Sequence, residues 1–197
     1  MTTNISDFLI IGGGVIGINL ALQAKRRYPD AKVTLIEKEP DCGVHASGRN
    51  SGVLHAGFYY TADSLKARLT RDGNRQLTEY CMERNLGINR CGKLVIARND
   101  DELPVLDELL ARAQHNGVEL YPVDEQEARE IEPRARVHER ALFSPTTASV
   151  DPGELMRAFV FDAQQAGIDI RTGTRYLGHR KGTAKTDQGQ IAVGYVI

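Results

Sequence analysis

The chain has 197 residues, with 25 Lys and Arg against 26 Asp and Glu, a formal net charge of -1 and 41% hydrophobic residues. That length admits one domain or a domain and a half, and the balanced charge offers no electrostatic case for a nucleic-acid or strongly acidic partner. The composition excludes low-complexity disorder, while 19 glycines exceed the roughly 7% usual in soluble proteins and ask for a local explanation.

Along the chain, Phe8-Leu9-Ile10-Ile11 is a short apolar run of the kind buried in a parallel sheet, and it ends at Gly12-Gly13-Gly14. Ile16, Leu20 and Ala24, with Ala21 beside them, predict the buried stripe of a helix reaching about Tyr28, where Pro29-Asp30 stops it. Lys32 to Ile36 predicts a second buried strand, completing a βαβ unit. Ala62 to about Asn85 is helical, with Leu65, Leu69, Leu77, Tyr80 and Cys81 offered to one face and Arg68, Arg71, Asp72, Arg75 and Glu79 to solvent. Gly92 to Ala97 predicts a strand, and Pro104 to Gln114 a helix carrying Leu106, Leu109, Leu110 and Ala113 that Asn116-Gly117 ends. Asp124 with Glu127 makes a capping box, and Arg140 to Ser144 predicts a further strand. Asp151-Pro152-Gly153-Glu154 opens another helix, buried through Leu155, Met156, Phe159, Val160 and Ala163 and ended by Gly167. Strands follow at Ile168 to Arg171 and at Gln190 to Ile197.

Within the βαβ unit, Gly12, Gly14 and Gly17 form a GxGxxG between strand and helix, and Glu37 closes the second strand. Gly12 permits the tight turn, Gly14 admits a pyrophosphate to the backbone, and Gly17 lets helix and strand pack closely. The helix N-terminus, with the amides around Val15 and Ile16, offers N–H groups and a positive dipole to phosphates. Glu37 can accept from a ribose diol and would repel a 2'-phosphate, so the unit is predicted to bind a dinucleotide other than NADP, with Lys38 beside it. The fingerprint does not separate FAD from NAD. After Glu37 the chain enters no further βα unit but a polar, glycine-punctuated run, His45 to Tyr60, suited to threading past a second phosphate or a ring edge.

Gly12 to Gly17, Glu37 and above all Ser47-Gly48-Arg49-Asn50-Ser51-Gly52-Val53-Leu54-His55-Ala56-Gly57 resemble the D-amino-acid-oxidase-like superfamily of FAD-dependent oxidoreductases. Phe58-Tyr59-Tyr60, Ser64-Leu65-Lys66-Ala67 and Cys91-Gly92-Lys93-Leu94 are similar to its L-2-hydroxyglutarate oxidase or dehydrogenase branch. The resemblance implies an α/β fold. It would be a Rossmann-like FAD-binding domain with a mostly parallel sheet and an inserted, strand-rich α+β substrate domain, divided as 1–87, 88–150 and 151–197. Both domains would be incomplete, because the chain resembles the N-terminal half of such a flavoenzyme. It further implies FAD as cofactor, with Ser47, Arg49, Asn50, Ser51, Gly52 and Val53 running beside pyrophosphate and flavin. Tyr176 would stand at the adenine region, where relatives usually carry a small aliphatic residue. The implied reaction takes a small 2-hydroxy acid, L-2-hydroxyglutarate in the named branch, to the 2-oxo acid, with oxygen or a quinone as final acceptor.

His55 can remove the hydroxyl proton as hydride leaves, can carry a covalent flavin, or can be a structural histidine hydrogen-bonded beneath the loop. Arg49 suits a pyrophosphate, a substrate carboxylate or a surface ion pair. Tyr59, Tyr60 and Lys66 suit an anionic dicarboxylate pocket or simple packing. His45 reads as a loop residue, and His115, His138 and His179 as solvated. No His, Cys, Asp and Glu group has metal-ligand spacing, so no metal is expected. Other readings remain open: an oxidase of amines or of glycerol 3-phosphate, and an FAD-binding fragment without turnover. Cys42, Cys81 and Cys91 match neither a zinc knuckle nor a CxxC pair and fit a reducing cytoplasm. The apolar stretch from Phe8 to Ala24 lacks a basic lead and is broken by glycines, unlike a signal peptide. A cytoplasmic protein is expected, with peripheral contact at the inner face of a membrane if the acceptor is a quinone.

Overall fold

The computed structural model describes residues 5–197. Its first elements are β1 (Ile5–Ile11), α1 (Val15–Arg27), β2 (Val33–Ile36), β3 (Val53–Leu54), α2 (Leu65–Glu83), β4 (Ile88–Asn89) and β5 (Lys93–Ile96). Next come α3 (Leu103–Asn116), β6 (Tyr121–Asp124), α4 (Glu125–Ile131), β7 (Arg140–Ser144) and β8 (Ala148–Val150). The chain continues with α5 (Pro152–Gln165), β9 (Asp169–Arg171), β10 (Tyr176–Arg180), β11 (Thr183–Thr186) and β12 (Gly189–Val196). The chain divides into two compact units, one holding residues up to Ser51 together with Pro152–Ile197, the other Gly52–Asp151.

The first unit is a six-stranded sheet in the order β10-β11-β12-β1-β2-β9. β12, β1, β2 and β9 run parallel, and β10 and β11 add an antiparallel flank. All four β2 residues are buried, as expected of a strand covered on both faces. One core cluster gathers Leu9, Ile36, Ala184 and Ile191. α1 buries Ile18, Ala21 and Leu22, whereas Ile16 is 74% and Leu20 41% exposed, so the predicted stripe is rotated about the helix. The reason is Gly17. It must face β1; Ala21, four positions on, shares that face, and Ile18 and Leu22 flank Ala21 on the side away from Ile16 and Leu20.

The second unit holds two three-stranded antiparallel sheets, β3-β8-β4 and β5-β7-β6. α3 packs Leu106, Leu109 and Ala113 into a core with Ala56, Phe58, Ala97, Leu120 and Leu142. The Asp124 and Glu127 capping box forms at the start of α4 as predicted. α2 starts at Ser64, whose hydroxyl accepts from the Ala67 amide, and buries Ala67 and Cys81. Leu65 and Leu69 are instead exposed, at 59% and 60%. Polar side chains set that face: Asn74 Nδ2 donates to the carbonyls of Leu54 and Thr146, both at 3.0 Å, and Arg71 Nη1 to that of Asn116 at 3.0 Å. Arg71 therefore does not belong to a solvated face. These bonds are also why residues 52–87 cluster with the second unit, so the first division falls after Ser51 rather than after residue 87. Among the described residues no helix is long and apolar enough to cross a membrane.

Candidate functional site

The glycine loop of the first unit is built from backbone. Gly12 has φ +107, a conformation that favours glycine, and its amide donates to the Ile36 carbonyl at 2.8 Å. A Cβ on Gly17 would stand 2.0 Å from the Gly12 carbonyl oxygen, so the close approach of α1 to the loop exists only with glycine there. At the N-terminus of α1 the Val15 amide donates to Ser47 Oγ at 3.0 Å. The amides of Ile16 and Gly17 have no acceptor among the described residues. They point, with the helix dipole, to where an anion would sit.

Glu37 sits at the end of β2 and accepts from two amides, Gly13 at 2.7 Å and Glu39 at 2.9 Å. Each carboxylate oxygen keeps a lone pair for a ribose hydroxyl. The Thr174 amide donates to the Glu37 carbonyl at 2.8 Å, which lays the segment leading to Tyr176 alongside. Tyr176 packs its ring on the Leu9, Ile36, Ala184 and Ile191 cluster, with its hydroxyl 3.3 Å from His179 Nδ1. Lys38 lies 3.5 Å from Glu39, and Glu39 also meets His45 Nε2 at 2.9 Å, which makes His45 a loop fastener.

Three contacts that the sequence did not signal lace the following loop onto the glycines. The Gly43 amide donates to the Gly13 carbonyl at 2.9 Å, and Ser47 accepts from Val15. A Cβ on Gly13 would meet Cys42 Sγ at 2.6 Å. Burial, aided by Glu37 and Asp41, pushes the Cys42 thiol up to about 11. Asn50 turns its Nδ2 back onto the carbonyls of Ala46 and Ser47, at 3.1 and 3.0 Å. Arg49 lines a cleft of about 680 Å3 with Cys42, Met156, Arg157 and Phe161. None of Gly12, Gly14 or Gly17 lines that cleft.

The remaining predicted residues belong to the second unit. Gly52 has φ +68, its carbonyl accepts from the Val150 amide, and Val53 opens β3. His55 is exposed and makes no hydrogen bond among the described residues, which leaves the hydrogen-bonded structural role without support. Desolvation first, and the Lys93 charge second, lower its pKa from the ordinary 6.5. Lys66 Nζ lies 4.4 Å from the centre of the Tyr60 ring. His138, expected to be solvated, bonds Asp100 through Nε2 at 2.7 Å, and Glu139 brings a carboxylate into the same 4.8 Å group. Residues distant in sequence make this cluster, and the His138–Asp100 bond accounts for the approach.

A parallel sheet with a glycine turn, a helix N-terminus and a terminal acid defines a dinucleotide-binding α/β protein. Residues 7–197 match the FAD dependent oxidoreductase family, and the chain belongs to it. It is 40% identical over 168 residues, 85% of its length, to a mitochondrial L-2-hydroxyglutarate dehydrogenase of Nematostella vectensis, of which it covers 37%. With L-2-hydroxyglutarate dehydrogenase of Escherichia coli K12 it shares 36% identity over 187 residues, 93% of the chain and 44% of that protein. The chain thus spans about two fifths of the length of these curated relatives. Reduced L-α-glycerophosphate oxidase from Mycoplasma pneumoniae, with FAD bound, superposes with a TM-score of 0.87 at 26% identity, over 100% of this chain and 53% of that one. L-Proline dehydrogenase from P. horikoshii shares the fold at 0.86 and 24% identity, over 98% and 52% of the two chains. FAD is the cofactor of this family, and the Gly12 to Gly17 turn, the two unmet amides and Glu37 fit its ADP half.

Proposed function

We propose that the protein is an FAD-dependent oxidoreductase acting on the CH–OH group of a small 2-hydroxy acid, L-2-hydroxyglutarate, which it converts to 2-oxoglutarate. The observation that carries this reading is the 36 to 40% identity, across most of the chain, to the two L-2-hydroxyglutarate dehydrogenases above. FAD, when bound, supplies the hydride acceptor. The chain's own contribution is to hold the ADP half at the N-terminus of α1 and on Glu37, with Ser47 to Val53 along the remainder, and to receive a proton. His55 is suited to receive it, since its ring is exposed and unbonded and its lowered pKa keeps it neutral near pH 7. The carbon–hydrogen bond gives up its electron pair as hydride, the hydroxyl proton passes to a His55 ring nitrogen, and the carbonyl forms. Tyr60 and Lys66 supply the pocket for substrate carboxylate.

The test is the absorption spectrum of the protein reconstituted with FAD and mixed with substrate without oxygen. A bound flavin that bleaches with L-2-hydroxyglutarate and not with glycerol 3-phosphate or an amino acid is the expected result. Bleaching by glycerol 3-phosphate instead would assign the chain to the glycerophosphate-oxidase reading that the Mycoplasma structure favours. A bound flavin that nothing bleaches would mark a cofactor-binding fragment. The reading carries a cytoplasmic location, and reoxidation by oxygen or by a soluble quinone analogue separates the two acceptors; the quinone would bring contact with the inner face of a membrane.

A further inference from the structure

In the second unit three aromatic residues in succession, Phe58, Tyr59 and Tyr60, come soon after His55. Phe58 is buried, and the Tyr59 ring lies against it with centroids 4.3 Å apart. The backbone of the loop is pinned from α3. Arg112 Nη1 donates to the Tyr59 carbonyl at 3.0 Å, and Asn116 Nδ2 to those of Gly57 and Tyr60 at 3.3 and 3.0 Å. On this fixed platform two ammonium groups rest, one on each tyrosine. Lys66, from the first turn of α2, lies 4.4 Å from the centre of the Tyr60 ring, and Lys93, the first residue of β5, lies 4.6 Å from that of Tyr59.

Neither ammonium is neutralised by a carboxylate among the described residues. In the same unit Arg71, Arg75, Arg98, Arg112, Arg129 and Arg140 each face a carboxylate within ion-pair distance. Lys66 and Lys93 have no such partner among the described residues. A ring face orients an ammonium without neutralising it. Two unneutralised cations, one from α2 and one from β5, each seated on one of two successive tyrosines, supply what recognition of two negative charges requires. The Lys93 charge also reaches His55 and favours its neutral form.

We propose that Lys93, with Lys66, forms a two-cation clamp that selects a dianionic substrate, and that Lys93 is a specificity-determining residue. The inference rests on the reading of the site as a 2-hydroxy-acid pocket and names the residue that distinguishes a dicarboxylate from a monocarboxylate.

Glutarate and pentanoate, a dianion and a monoanion of equal carbon count, are the probes, titrated into the FAD-reconstituted protein and its Lys93→Gln and Lys93→Arg variants. Lys93→Gln is expected to weaken glutarate about tenfold while leaving pentanoate within about twofold, and Lys93→Arg to keep the preference, as loss of one charged contact predicts. Bound flavin and far-UV circular dichroism report that each variant is folded. Equal weakening of both probes, or no change for glutarate, overturns the clamp. A wild-type protein bleached by L-2-hydroxyglutarate, with a preference that ignores Lys93, sinks the clamp and leaves the substrate reading standing. Lys93-dependent glutarate selectivity without bleaching does the reverse.

Discussion

At the level of single residues, the site depends on atoms that are missing as much as on those present. Gly17 allows α1 to approach within a distance no side chain tolerates, so Gly17→Ala is expected to destabilise the first unit by about 1 to 3 kcal/mol and to abolish retention of flavin on gel filtration. Gly13, the middle glycine that the GxGxxG pattern leaves unassigned, clears space for Cys42, and Cys42 is half-buried with its pKa raised to about 11. Alkylation at pH 8 is therefore expected to label the exposed Cys91 well before Cys42, with mass spectrometry as the readout. His55 has a pKa below 6.5 through desolvation and then Lys93. As a proton acceptor it works only when neutral, so kcat/KM should rise with pH through an apparent pKa below 6.5 and then level. Lys93→Gln removes the second of those causes and should move that limb upward; an unmoved limb would detach Lys93 from His55.

Among helices and strands, polar anchors decide which face turns inward. α2 shows it most clearly. Its leucines at 65 and 69 suggested a buried stripe, yet the helix is rotated so that Asn74 and Arg71 reach backbone carbonyls on other segments. Unpaired carbonyls cost more than an exposed leucine. Asn74→Ala is accordingly expected to destabilise the second unit by about 1 to 3 kcal/mol in urea unfolding, and Leu69→Ala by less than about 0.5 kcal/mol. Hydrophobic spacing located α3 and α5 with their buried apolar residues, because their apolar faces are continuous and, on α3, the anchors Arg112 and Asn116 do not rotate Leu106, Leu109 and Ala113 out of the core. It missed β3, β4 and β8, which are two or three residues long and exist only through pairing with one another.

On the scale of the whole molecule, the chain leaves the first unit at Ser51 and returns at Pro152. The return was legible because Asp151-Pro152-Gly153-Glu154 is a local helix-start signal. The departure was not, since no local signal separates Ser51 from Gly52 and the division depends on which long-range bonds each side makes. One such bond, His138 to Asp100, gives a pH effect with a definite sign. The Asp100 carboxylate raises the His138 pKa above its ordinary 6.5. Its contribution to stability is fully present below 6.5 and is lost as pH rises through the raised value. Melting temperature of the wild type relative to His138→Gln should therefore be higher at about pH 6 than at about pH 8.5, and a difference independent of pH would remove the pair from the account. By itself the sequence determined the dinucleotide-binding unit, because the GxGxxG turn, the helix and Glu37 act through neighbours close along the chain, and the resemblance carried by Ser47 to Gly57 pointed to FAD. Only the tertiary structure decided which faces of α1 and α2 are buried, that Cys42 and Ser47 brace the glycine loop, and that Lys93 joins Lys66 beside the tyrosines. Those outcomes depend on contacts between residues far apart in the chain, and local periodicity carries no record of them.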